Sequence, residues 1–144
     1  MVLRIRAKKE SEIEKEIGHF LYYFSRSRDF AFYKQNTRGY FSGRQIDHYG
    51  KRVFVGHFRK DANPFARTGI SDWAIIYKGF FIAFETKTEY GRQTENQKEY
   101  EHYLKSKGKG RYEIVRSVEE CEKKLKKIFN EIDEVLKASE SLEK

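Results

Sequence analysis

Three charged residues fall where a β-hairpin brings them together. Residues 73–77 and 80–84 are apolar runs separated by Lys78-Gly79, the pattern of two strands joined by a two-residue turn. With Tyr77 facing Phe80, Asp72 falls opposite Glu85, and opposed residues share a face with Cβ atoms about 5 Å apart. Lys87 lies two residues beyond Glu85 and therefore shares that face. Two opposed carboxylates repel each other. Either one carboxyl keeps its proton, or a cation sits with them. A hard divalent ion takes carboxylate and carbonyl oxygens as ligands, so the pattern points to metal-assisted chemistry. A Glu85–Lys87 salt bridge alone leaves the pairing of Asp72 with Glu85 unexplained.

A helix supplies a further carboxylate. Ile13, Ile17, Phe20, Leu21 and Phe24 repeat at the spacing of one helical face, which predicts a helix over residues 10–24. Glu10 extends that apolar line back by one step toward the core side. Glu14, adjoining Ile17 and Leu21, is the next candidate, while Glu12 and Glu16 suit a solvated face. The histidines make no competing site, since His19, His48, His57 and His102 form neither an HxH nor an HxxxH pair. The single cysteine, Cys121, excludes a disulfide framework and a cysteine-based zinc site.

Other elements must position these groups. Residues 25–50, with Gly39, Gly43 and Gly50, read as turns between short strands or as an irregular loop, residues 52–58 as a strand, and residues 61–69, around Pro64, as a loop. Thr94 caps a second helix that runs to Lys107 and stops at Gly108 and Gly110. Residues 112–116 form a strand, and the strand–helix–strand order over residues 80–116 requires it to run parallel to the strand before the helix. Residues 118–137 form the last helix. Its seam, Val118, Cys121, Leu125, Ile128, Ile132 and Val135, alternates spacings of three and four. Packing onto its own domain is the first reading of that seam, and a homodimer interface the second. The polar tail from Ala138 is expected to fray.

At 144 residues the chain is read as one domain, 1–144. No stretch approaches ~18 uncharged apolar residues, so no membrane span is expected, and the charged opening, Met1 to Glu16, does not suit a secretory signal. A cytoplasmic location is the expectation, with the nucleoid or a host-cell cytoplasm as variants of it. The net charge is +8. Residues 20–70 carry 10 basic and 3 acidic groups and more than half of the aromatic residues, so nearly all of the excess lies there. Basic groups neutralise phosphates and aromatic faces stack on bases, which makes Lys34, Arg38, Arg44 and Arg67 candidate nucleic-acid contacts; the alternative reading is a half-buried Tyr/Phe-rich segment whose charges are merely solvated.

Together, Gly69-Ile70-Ser71-Asp72, Phe84-Glu85-Thr86-Lys87, Gly91-Arg92 and Gln97 resemble the VRR-NUC (virus-type replication-repair nuclease) family of the PD-(D/E)XK, restriction-endonuclease-like superfamily. The opening Glu10-Ser11-Glu12-Ile13-Glu14-Lys15 is similar to that family's first helix. The likeness spans about residues 10–120. Ser71 stands where the superfamily name has proline, and the aromatic block 25–68 and the C-terminal seam lie outside what the likeness explains. The resemblance implies an α/β (α+β) fold with a restriction-endonuclease-like core: a central mixed sheet flanked by helices, with an N-terminal helix and a long C-terminal amphipathic helix. It implies Mg²⁺- or Mn²⁺-dependent hydrolysis of phosphodiesters in DNA, branched or flapped structures included. Asp72, Glu85 and the Thr86 carbonyl would hold the metal, with Glu10 joining directly or through a water. Lys87 would orient or activate the attacking water, Gln97 would position Lys87 or the phosphate, Arg92 would touch backbone phosphate, and Lys34, Asn36 and Arg38 would add further DNA contacts. The alternatives are an inactive nucleic-acid-binding module on the same fold, against which the intact Asp72, Glu85 and Lys87 argue, and a restriction-type endonuclease.

Overall fold

The computed structural model describes residues 6–35, 40–59, 65 and 67–143, and describes 40–48 and 53–59 through their backbone alone. Among these lie three helices and six strands: α1 (Glu10–Ser27), β1 (Ala31–Lys34), β2 (Tyr40–His48), β3 (Lys51–Arg59), β4 (Trp73–Tyr77), β5 (Phe80–Thr86), α2 (Glu95–Lys107), β6 (Arg111–Val115) and α3 (Val118–Leu142). The fold is mixed α+β. No described helix is long and apolar enough to cross a membrane.

The hairpin forms in the register that the sequence predicts. Tyr77 pairs with Phe80, and the ladder continues to Trp73 and Phe84. Lys78 and Gly79 both adopt positive φ, 49° and 86°, the two left-handed positions of a type I′ turn. Glycine meets that demand without a Cβ penalty, and Lys78 tolerates it at the exposed tip. After β5 the chain crosses over through α2 and returns as β6, parallel to β5 from Ile82↔Arg111 to Thr86↔Val115. β1 joins the other edge, antiparallel to β4. The result is a four-stranded mixed sheet in the order β1-β4-β5-β6, and β2 and β3 pair in a separate two-stranded sheet. Asn36, Arg38 and, from the loop around Pro64, residues 61–64 and 66 lie outside the described residues.

Two helices cover one face of the four-stranded sheet. Ile13, Ile17 and Leu21 of α1 and Cys121, Leu125, Ile128, Phe129 and Ile132 of α3 pack with Trp73, Ile75, Tyr77, Ile82, Phe84 and Val115. The opposite face is thinner: Ala83 packs with Tyr100 of α2 and Tyr112 of β6. The side chains of odd-numbered β4 residues belong to the thick layer, so Asp72, Glu85 and Lys87 belong to the alternate face that α2 covers.

The last helix departs from expectation in two ways. It continues to Leu142, five residues past the predicted end, because helix propagation adds one hydrogen bond per residue fixed once the nucleus exists. Its buried set is also wider than a heptad seam. Phe129, off the seam, is fully buried, and Val135, on it, is 58% exposed. Phe129 stacks on Tyr77 with ring centroids 4.0 Å apart, and the Arg28 guanidinium lies over its ring. Seam residues 121, 125, 128 and 132 are therefore covered by this chain itself.

Phe129→Ala should destabilise the fold by about 3–5 kcal/mol, the usual loss for a buried aromatic. The exposed Lys127→Ala should stay within about 0.5 kcal/mol of wild type. Urea unfolding with the two variants side by side measures both, and equal midpoints would contradict this account of the core.

Candidate active site

The site lies where β4 stops pairing and β5 runs on. Past Trp73↔Phe84, side chains take over from the backbone ladder. The Asp72 N–H donates to Glu85 Oε2 at 3.1 Å, and the Thr86 N–H donates to Asp72 Oδ2 at 2.8 Å. Each carboxylate thus accepts from the opposing strand, and the two acids are locked side by side. The Gln35 N–H holds the Asp72 carbonyl at 2.8 Å from the β1 side. Its side-chain amide donates to Ser71 Oγ at 2.9 Å, and that hydroxyl donates to the Trp73 carbonyl at 3.1 Å.

Glu10 completes the cluster. It is the first residue of α1, where the positive end of the helix dipole favours a carboxylate. Glu10, Asp72 and Glu85 each offer a carboxylate oxygen, and these oxygens lie within 4.8 Å of one another. Glu14, the other helix candidate, instead forms an ion pair with Lys34 of β1. The structure therefore separates the two glutamates that the sequence left open. Glu12 and Glu16 sit on the outer side, paired with Arg6 and Lys8.

Lys87 is buried beside the cluster, its Nζ 3.8 Å from Glu85 Oε1. Gln97 reaches the same oxygen from α2, with Nε2 at 2.8 Å. Gln97 thus orients Glu85, and no contact to Lys87 is needed to explain its place. Its own orientation comes from the helix cap, because its Oε1 accepts the Thr94 N–H and its N–H donates to Thr94 Oγ1. Gly69 explains why α2 can approach so closely. It has φ +73°, and a Cβ there would lie 2.4 Å from the Asn96 carbonyl carbon.

Electrostatics set the chemistry. Burial pushes the Glu85 carboxyl from its ordinary value of 4.5 up to about 8, and the charge of Asp72 and then of Glu10 adds to the shift. Lys87 and the Asp72 N–H act against it. Three converging carboxylates with one of them this reluctant to ionise suit a hard divalent cation, whose charge would stabilise all three anions at once. Among the described residues each Glu85 oxygen accepts one hydrogen bond, which leaves a lone pair on each for such an ion.

The remaining described candidates have other surroundings. Lys34 is engaged by Glu14, Arg67 stacks on the Tyr103 ring at 3.6 Å, and Arg92 is exposed. Arg44 is placed on β2 by its register with Val55. Gln35 escaped sequence reasoning, because no local pattern links it to Ser71 and Asp72 across the intervening block. The chain matches no protein-family model, no curated protein and no solved structure.

The raised Glu85 pKa has a definite sign. The folded state holds this proton more tightly than the unfolded chain, so the stability it contributes is present below about pH 4.5 and is lost as pH rises toward 8. Without divalent metal, Glu85→Gln should therefore melt above wild type near pH 8, with the gain shrinking toward pH 4.5. Mg²⁺ or Mn²⁺ should raise the wild-type melting temperature and leave the variant nearly unmoved. Parallel pH profiles for the two proteins would refute this.

Proposed function

We propose that this chain is a divalent-metal-dependent nuclease that hydrolyses phosphodiester bonds in DNA, of the VRR-NUC type within the restriction-endonuclease-like superfamily. One observation carries the proposal: Glu10, Asp72 and Glu85 converge from a helix and two strands with a buried lysine beside them. A sheet ordered β1-β4-β5-β6, with the acids at the end of its central hairpin, suits the core that this reading requires.

Glu10, Asp72 and Glu85 would hold Mg²⁺ or Mn²⁺, together with the Thr86 carbonyl. When bound, such an ion polarises the scissile phosphate and makes a coordinated water a stronger nucleophile. Lys87 orients the attacking water and offsets the negative charge that develops in the transition state. Its burial strengthens both effects, since a charge in a nearly dry site is poorly screened. Gln97 and the Asp72 N–H keep the Glu85 carboxylate from rotating, so the acid enters the reaction already oriented. Phosphate contacts fall to exposed basic residues such as Arg92, and branched or flapped duplexes are the proposed substrates.

The test is cleavage of labelled flap, splayed-arm, four-way and linear duplex DNA with Mg²⁺, with Mn²⁺ or with EDTA. Asp72→Ala and Glu85→Ala should abolish cleavage and leave salt-sensitive binding in place. Lys87→Ala should lower kcat by about 10²–10³-fold, the usual cost of losing one transition-state donor. Undiminished turnover in either acidic variant would sink the site.

A further inference from the structure

The connection between β5 and α2 carries Lys87 and Arg92, and its shape is set by a residue outside the acidic cluster. Arg116, the first residue after β6, points Nη1 at three carbonyls of that connection: Thr88 at 2.6 Å, Gly91 at 2.8 Å and Glu89 at 3.2 Å. The Gly91 N–H closes a turn onto the Thr88 carbonyl at 3.1 Å. The Lys87 N–H donates to the Val115 carbonyl at 3.1 Å, so the parallel ladder holds the base of the loop. Hydrogen bonds from a guanidinium are about twice as strong as neutral ones, and this one ties the whole turn.

Tyr90 occupies the third position of that turn, between the clamped carbonyls of Glu89 and Gly91. Its side chain is 86% exposed. The turn folds back onto the lysine: a Cβ on Gly91 would lie 3.4 Å from Lys87 Cβ and 3.1 Å from Thr88 Oγ1. An aromatic ring is thus held out in solvent one residue from Gly91, where an added Cβ would reach van der Waals contact with the root of Lys87. A lone exposed aromatic on a loose loop needs no explanation. Here the loop is held by five hydrogen bonds, and two of its neighbours are the exposed Arg92 and the buried Lys87.

We infer that Tyr90 is a stacking contact for an unpaired base next to the scissile phosphate, and that Arg116 is the positioning residue that presents it. This rests on the nuclease proposal and narrows its substrate class. Inside a duplex both faces of a base are covered by its neighbours. Only a base released from the stack offers a face to an aromatic ring. The chain therefore favours DNA that is single-stranded beside the cut, as at a flap or a splayed arm, over continuous duplex.

The experiment uses splayed-arm DNA with 2-aminopurine at the first unpaired positions, and blunt duplex as control, both in EDTA so that nothing is cut. Wild type should bind the splayed arm and quench the 2-aminopurine. Tyr90→Ala should lose the quenching and bind the splayed arm on the order of tenfold more weakly, with duplex binding unchanged, and Tyr90→Phe should restore both. Arg116→Ala should reproduce the Tyr90→Ala loss, and the double variant should lose no more, because the two residues act through one contact. Unaltered quenching in Tyr90→Ala, an equal loss on blunt duplex, or failure of phenylalanine to rescue would overturn the stacking contact. Arg116→Ala that melts normally and quenches fully would overturn the clamp. Cleavage in Mg²⁺ is scored separately: a protein that quenches but never cuts keeps the contact and loses the nuclease.

Discussion

Asp72 and Glu85 stand side by side in a nearly dry pocket, and the rest of the chain is arranged around that pair. Like charges repel, and burial deprives both of the water that would screen them. The fold answers with N–H groups from the opposing strands, an amide from α2 and an ammonium from Lys87. These partners relieve the charge only in part, as the raised Glu85 pKa shows. Glu10 increases the strain when it arrives from α1. A cluster that remains under repulsion beside these partners is one suited to a cation.

The opposite end of the sheet is anchored as well. Asp133 of α3 accepts from the Tyr77 hydroxyl at 2.8 Å, from Lys78 Nζ at 2.7 Å and from Arg28 Nη2 at 3.3 Å. One carboxylate therefore ties the hairpin turn, the residue that caps α1 and the last helix. With that corner held and Phe129 wedged against Tyr77, α1 is fixed along its length. Its first residue can then project Glu10 at the far end of the hairpin. Sheet, anchor and site form one mechanical unit in which an acid pair at one end is positioned by an acid hub at the other.

How much of this was legible in the sequence depends on separation along the chain. The hairpin register was readable because turn length and side-chain alternation are local, and they place Asp72 against Glu85 without further information. The parallel return of β6 followed from crossover handedness. Gln97 was visible only through family resemblance, and its partner proved to be Glu85, because the helix cap points its amide across the gap to β5. Lys34 carried the signature of a phosphate contact but faces Glu14, since α1 and β1 pack with those residues opposed. Phe129 broke the heptad pattern because α3 lies on a broad sheet face, where a 3.6-residue period buries more than the two seam positions.

By itself the sequence determined the pairing of β4 with β5 and the parallel return of β6, the identity of the acidic pair and Lys87, and the helix that brings a third carboxylate. Each depends on periodicity, turn chemistry or spacing within a short segment. Tertiary structure alone decided which helix glutamate joins the cluster, which side chain orients Glu85, and that Arg116 gathers the carbonyls around Tyr90. Those outcomes require residues distant in sequence to meet at distances of a few ångströms. Local pattern carries no information at that precision, because it arises from how helices and sheet pack together.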